Sequence, residues 1–400
     1  MSWSTRFPVT LEDIYTQQFS LTGTAGGPLS GLRLAVKDLY NVAGQVTLAS
    51  QRSRADSMPA MAHADLVQRF YDAGATLQGH TISTQQAFSV IGQNPDYGES
   101  KSLWSPDDQP RIAGGSTRGG ALAVAADLAD VALGTDTGGS CRVPAACNGL
   151  VGFKFSHSLD LLTGCAPLSE TLDSAGLMTS SLTELNRAMS CVLGDPPSLP
   201  EATMNFLVPE FVLEQCDDEV RTAFDGYVDQ LKLLGYSVQI DPTESARRYL
   251  ALLKHPSIPS IESARRLSSE QLAQISDPRV LMRIHAGQGL SEEQVNTVYR
   301  LRGELVDQFN AEFLDATLLM PTLSVMPPRL SEVSSNSGFA QINARLLRNA
   351  AFLNLVDGCG ISLPITNDRP ISVTLGRPGG QDHAVLQQAN RIQSQLNSLS

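Results

Sequence analysis

Residues 113–154, AGGSTRGGALAVAADLADVALGTDTGGSCRVPAACNGLVGFK, decide how the rest of the chain is read. Two clusters of glycine and hydroxyl residues, Gly114-Gly115-Ser116-Thr117 and Gly134-Thr135-Asp136-Thr137-Gly138-Gly139-Ser140, flank a run of small apolar residues. Glycine tolerates backbone angles closed to other residues and lets other chain segments approach closely. Two serines set in such frames therefore suggest a chain bent to bring two hydroxyls together. Between and after the clusters, the pattern predicts a small-residue helix at 121–128, a buried strand at 131–134, a helix at 142–146 and a buried strand at 149–153.

Working outward, residues 32–38 (LRLAVKD) read as a strand that ends in Lys37. A lysine there is either a solvated charge or, if it reaches an interior site, a base whose pKa is lowered by desolvation. The spacing predicts a helix at 64–73 stopped by Gly74 and a strand at 75–78, which together with the first strand make one strand-helix-strand step. A short helix is expected at 84–90 within the punctuated stretch 80–112. The start signal Thr10-Leu11-Glu12-Asp13 predicts a helical segment within residues 1–30. Downstream, residues 161–178 read as loop, 180–193 as a helix, and the prolines at 196–200 as a boundary. Residues 201–316 are more polar and mostly helical, with helices at 218–234 and 291–313 and a strand at 236–240. Strands at 318–320, 360–364 and 371–375 and a helix from Ala384 complete the chain. Alternating strands and helices predict an α/β architecture with one large sheet and helices on both faces.

Composition narrows the function classes. The 400 residues carry a formal charge of −12, which argues against nucleic acid or an anionic membrane as partner, since these select a basic surface. No run of about 18 apolar residues is present and residues 1–20 lack the apolar core of a signal peptide, so a cytoplasmic protein without a membrane span is expected. The six cysteines include no C-x-x-C pair and the six histidines form no metal-binding motif, so neither a disulfide frame nor a metal site is expected.

Lys37, Ser116 and Ser140 carry the candidate chemistry. A serine hydroxyl needs a base and a site for the developing oxyanion, and a neutral lysine acting directly or through a second hydroxyl supplies the first. Two other readings stay open: an anion cradle made by Thr137-Gly138-Gly139-Ser140, and plain structural turns. Neither cluster fits a nucleotide-binding glycine motif.

The order Ala35-Val36-Lys37-Asp38, then GGST, then GTDTGGSCRVPAACNGLVGFK resembles the amidase signature family, whose pattern is GGSSGG followed by GTDTGGSIR-x-PA. The likeness extends to Pro167-Leu168-Ser169 with Thr171-Leu172-Asp173 and Gly176, and to Leu319-Met320-Pro321-Thr322-Leu323. It continues through Asn354, Gly358 and Leu363-Pro364 to Leu375-Gly376-Arg377-Pro378-Gly379. It implies the amidase-signature fold, one large twisted mixed β-sheet covered by α-helices on both faces, in a single domain over 1–400. Within it, 31–195 would be the catalytic core, 201–316 a variable part lining the substrate side, and 317–400 a return to the core sheet. The resemblance also implies a Ser-cisSer-Lys triad, with Ser140 as nucleophile, Ser116 as relay after a cis peptide and Lys37 as base. The N–H groups of Thr137, Gly138, Gly139 and Ser140 would form the oxyanion hole, and no cofactor is implied.

Ala87 and Phe88 match positions near the family's acyl pocket, while Thr117, Arg118, Asp136, Arg142 and Asp173 are candidates to line the site or support it. Arg118 departs from the family's glycine or serine; it either points outward without effect or inward, toward an acidic substrate or Asp136. Cys141 reads as a small buried hydrophobe. The chain resembles compact members of the indole-acetamide hydrolase and malonamidase types. A small or aryl carboxamide is the expected substrate, with a homodimer left open as the assembly. The alternatives are a glutamine-hydrolysing amidotransferase subunit of the A type and a non-catalytic scaffold.

Overall fold

The computed structural model describes residues 5–99, 101–105, 109–158, 160–194 and 204–398. Eleven strands join in one sheet: β1 (Tyr15–Leu21), β2 (Arg33–Lys37), β3 (Thr76–Thr81), β4 (Val131–Thr135), β5 (Val151–Lys154), β6 (Ala175–Thr179), β7 (Asn205–Pro209), β8 (Ser237–Asp241), β9 (Ala316–Pro321), β10 (Cys359–Pro364) and β11 (Ser372–Arg377). Their order across the sheet is β8-β7-β9-β11-β10-β5-β6-β4-β2-β3-β1. The sheet is mixed: β3, β2 and β4 pair in parallel, as do β8, β7 and β9, and the strands between β4 and β9 pair antiparallel. This is the α/β fold expected from the sequence, and no helix among the described residues is long and apolar enough to cross a membrane.

The period of two along the central strands explains why both faces are covered. Leu34 and Val36 of β2 and Val131 and Leu133 of β4 enter one core, shared with the helices Asp65–Asp72 and Leu182–Leu193. Ala35 and Ala132 enter a second core on the opposite face, beneath the helix Arg118–Ala125. That helix has the sequence RGGALAVA and lies close to the sheet. At Gly134 of β4 a Cβ would stand 2.7 Å from Thr117 Cγ2 and 2.8 Å from Cys141 Sγ, so only glycine fits. Lys37 follows Ala35 by two residues and so projects on the face where the Arg118–Ala125 helix begins.

Several elements differ from the sequence reading. The Thr10–Asp13 signal is a true capping box, but it opens only the single turn Leu11–Ile14. The expected helical segment then becomes β1, because YTQQFSL finds an antiparallel partner in β3. The helix expected at 84–90 is a 3₁₀ turn at Gln85–Ala87, broken where Gln86 and Ala87 take φ values of 53° and 57°. The segment read as loop ends in β6, and β7 interrupts the mostly helical part. The helix Asn336–Leu355 has no counterpart in the sequence reading. The proline-rich boundary at 196–200 lies outside the described residues.

Candidate active site

Lys37 ends β2 fully buried, and its ammonium donates to Ser116 Oγ at 2.7 Å and to Thr135 Oγ1 at 2.8 Å. Burial drives its pKa down from 10.5 to about 8, outweighing the opposing influence of Cys141, Cys165, Asp173 and Asp136. The solvated-charge reading of Lys37 is therefore excluded. Ser116 follows a cis Gly115–Ser116 peptide. Its carbonyl accepts the Thr84 N–H at 3.2 Å, and the next N–H, of Thr117, is donated to the Ser140 carbonyl at 3.2 Å. These bonds hold the two serine-bearing clusters side by side.

Asp136 organises the second cluster. Its carboxylate accepts the N–H groups of Gly139 at 2.8 Å and Cys141 at 3.1 Å, the Arg142 guanidinium at 2.9 and 3.2 Å, and the Asn354 amide at 3.0 Å. Burial alone would raise its pKa, but Arg142 prevails and holds the carboxyl far below the usual range. Arg142 and Asp136 are both fully buried and thus form a compensated pair behind the loop. The oxyanion-hole assignment needs one correction: the Gly139 N–H is committed to Asp136. The N–H groups of Thr137, Gly138 and Ser140 meet no acceptor among the described residues. Gly139 has φ of 112°, and a Cβ there would stand 2.6 Å from Ala350 Cβ, so glycine is required on both counts.

Asp173 supports the same loop from the other side, accepting Thr137 Oγ1 at 2.6 Å and the Leu168 and Ser169 N–H groups at 2.8 and 3.1 Å. Its burial raises its pKa against these bonds. Arg118 takes neither of the two directions expected of it. It is fully buried and turns away from Asp136, donating to the carbonyls of Gly92 at 3.0 Å, Gly98 at 2.7 Å and Tyr97 at 2.7 Å. It thus staples the 92–98 loop and does not line the site. Thr117 is likewise absent from the cavity wall, because its methyl packs against Gly134 and its hydroxyl faces Cys141 Sγ at 3.9 Å. Cys141 is buried, and its thiol is pushed up to about 12, as befits a packing residue.

A cavity of about 550 Å³ opens on Thr137, Gly138 and Ser140, and Ala87 and Phe88 line it as expected. Leu168, Leu172, Leu252, Ile258, Val298 and Leu355 give it a mostly apolar wall. Sequence reasoning missed Thr135, Asn354 and Arg283. Thr135 was within reach, since it ends the strand paired in parallel with that of Lys37. Asn354 was marked by the family likeness but given no role, and Arg283 approaches from a segment whose packing no local pattern announces. Among the described residues no group of three or more His, Cys, Asp or Glu side chains is placed to hold a metal ion.

With this geometry in hand, known proteins provide the comparison. The family model described as Amidase matches residues 7–386. Amidase 1 of Oryza sativa subsp. japonica is 29% identical over 394 residues, covering 90% of this chain and 89% of its own length. A 2-amino-5-chloromuconic acid deaminase of Comamonas testosteroni is 30% identical over 372 residues, covering 88% of this chain and 79% of its own. A solved amidase crystal structure superposes with a TM-score of 0.81 at 28% identity, covering 92% of this chain and 85% of the other. The chain therefore belongs to the amidase family, hydrolases that act on carbon–nitrogen amide bonds.

Proposed function

We propose that the protein hydrolyses a carboxamide to a carboxylate and ammonia or an amine through an acyl-enzyme on Ser140. The observation that carries this reading is the buried Lys37 ammonium 2.7 Å from Ser116 Oγ, with Ser140 on the adjoining cavity floor. In its neutral form Lys37 takes the Ser116 proton while Ser116 takes that of Ser140, whose oxygen attacks the amide carbon. The carbonyl oxygen becomes negative against the free N–H groups of Thr137, Gly138 and Ser140. The proton returns through Ser116 to the leaving nitrogen, the carbon–nitrogen bond breaks, and water then releases the acyl group by the same relay. Asp136 and Arg142 hold the loop that carries these N–H groups, and Asp173 fixes Thr137.

The apolar wall suits a small aliphatic or aryl acyl group. The cytoplasm is the proposed compartment, supported by six free cysteines that suit reducing surroundings. A fluorophosphonate probe is expected to label Ser140 in the wild type and to leave Ser140→Ala unlabelled. A folded wild type that is neither labelled nor active on a panel of simple amides would favour the scaffold reading. Glutamine turnover that arises only with a partner subunit would favour the amidotransferase reading.

A further inference from the structure

The cavity has an electrostatic asymmetry that the hydrolysis of a neutral amide does not use. The protein as a whole carries a formal charge of −12, yet the described cavity wall contains three arginines, Arg283, Arg345 and Arg348, and neither aspartate nor glutamate. Two of these cations are already compensated. Arg345 pairs with Asp217 at 3.1 Å and Arg348 with Glu214 at 2.6 Å. Arg279, one turn before Arg283 on the helix Pro278–His285, pairs with Asp277 at 2.8 Å.

Arg283 differs from all three. It has no carboxylate within ion-pair reach among the described residues, and its half-buried setting lowers its pKa to about 10, so it remains charged at neutral pH. One guanidinium nitrogen donates to the Phe88 carbonyl at 2.7 Å, and the group sits over the Phe88 ring, 4.8 Å from its centre. A neutral acceptor and a ring face hold the fork in place without neutralising it. A partly desolvated cation without a counter-ion carries a cost in a folded protein, and the cost falls when an anion arrives. A guanidinium matches a carboxylate in shape and hydrogen bonding.

The backbone links this cation to the proposed chemistry. The Thr84 N–H binds the Ser116 carbonyl at 3.2 Å, and four residues later the Phe88 carbonyl binds Arg283. Those five residues span at most about 18 Å when fully extended, and the turn at Gln85–Ala87 shortens them. The geometry points to a substrate that carries two functional ends: an amide carbonyl at Ser140 and a carboxylate bound by Arg283, joined by an apolar segment along the leucine-lined wall. This inference rests on the hydrolase reading and deepens it by assigning the substrate class.

The test compares monoamides of four- to eight-carbon dicarboxylic acids with neutral alkanamides of equal length. In the wild type, at least one monoamide should exceed its neutral counterpart at least tenfold in kcat/KM. Arg283→Gln should reduce that preference at least tenfold, mainly through KM, and Arg283→Lys should restore part of it. Equal fluorophosphonate labelling of Ser140 and matched thermal melting confirm that the variants are folded. Equal turnover of charged and neutral amides at every length, or a preference that survives Arg283→Gln, overturns the assignment. Calorimetry on Ser140→Ala with the tightest-binding monoamide of the series separates the two readings, because its binding should weaken at least tenfold when Arg283→Gln is added. Absence of turnover with that loss intact sinks the hydrolase reading alone, and unchanged binding sinks the Arg283 assignment.

Discussion

The floor and the wall of the cavity are built on opposite electrostatic plans. On the floor, the fixed charges are paired and the remaining cation is poised to lose its proton: Asp136 meets Arg142 and Asn354, while Lys37 rests on two neutral hydroxyls with its pKa lowered to about 8. On the wall, Arg283 lines the cavity with no carboxylate in ion-pair reach among the described residues, and most of the other lining residues are apolar. The difference teaches which part is fixed by the reaction and which by the substrate. A floor complete in the empty protein is preorganised for bond making, whereas a wall with an unmatched charge is completed by what binds.

The largest effects should come from the floor. Ser140→Ala and Lys37→Met are each expected to lower kcat/KM by about 10³-fold or more, measured with whichever amide proves best. A Lys37→Met enzyme that retains a tenth of the activity would remove Lys37 from the proton path. Next, Arg142→Met leaves the Asp136 carboxylate buried without its cation and should cost about 3–5 kcal/mol in chemical unfolding. A loss below about 1 kcal/mol would mean that Asn354 and the loop N–H groups suffice.

Titration offers a milder perturbation of the same floor. Only neutral Lys37 accepts a proton, and its pKa is about 8. Thus kcat/KM should be level above about pH 8 and fall about tenfold for each unit below it. A flat profile from pH 6 to 9 would break the assignment. The smallest effect is expected on the wall, where Val298→Ala should shift KM by less than about tenfold for aliphatic amides. A larger change in kcat than in KM would show that wall and floor are not separable.

What the sequence disclosed follows the same division. The close placement of Lys37 and Ser116, and of the two serine-bearing clusters, was legible because it depends on residue type and on the glycine frames around them. The buried central strands were legible because alternation shows in the residues themselves. Arg118 was not, since the same side chain serves a solvent, substrate or loop contact according to where residues 92–98 pass. The strand Tyr15–Leu21 was misread because a local cap competed with a partner strand more than fifty residues away. Arg283 gains its place from tertiary packing, which leaves no mark at short range, and Asn354 was marked only by the family likeness, its bond to Asp136 being made across the fold.

The Asn354 bond to Asp136 bears on how the protein comes into being. Its two ends are separated by 218 positions, and Leu347 and Ala350 from the same late helix back Gly138 and Gly139. At a synthesis rate of about 5–20 residues per second, Asp136 waits on the order of 10–40 s on the ribosome before Asn354 follows it. During that interval the nascent chain holds all three proposed catalytic residues without the brace for their loop, so hydrolytic competence arrives only as the last elements emerge.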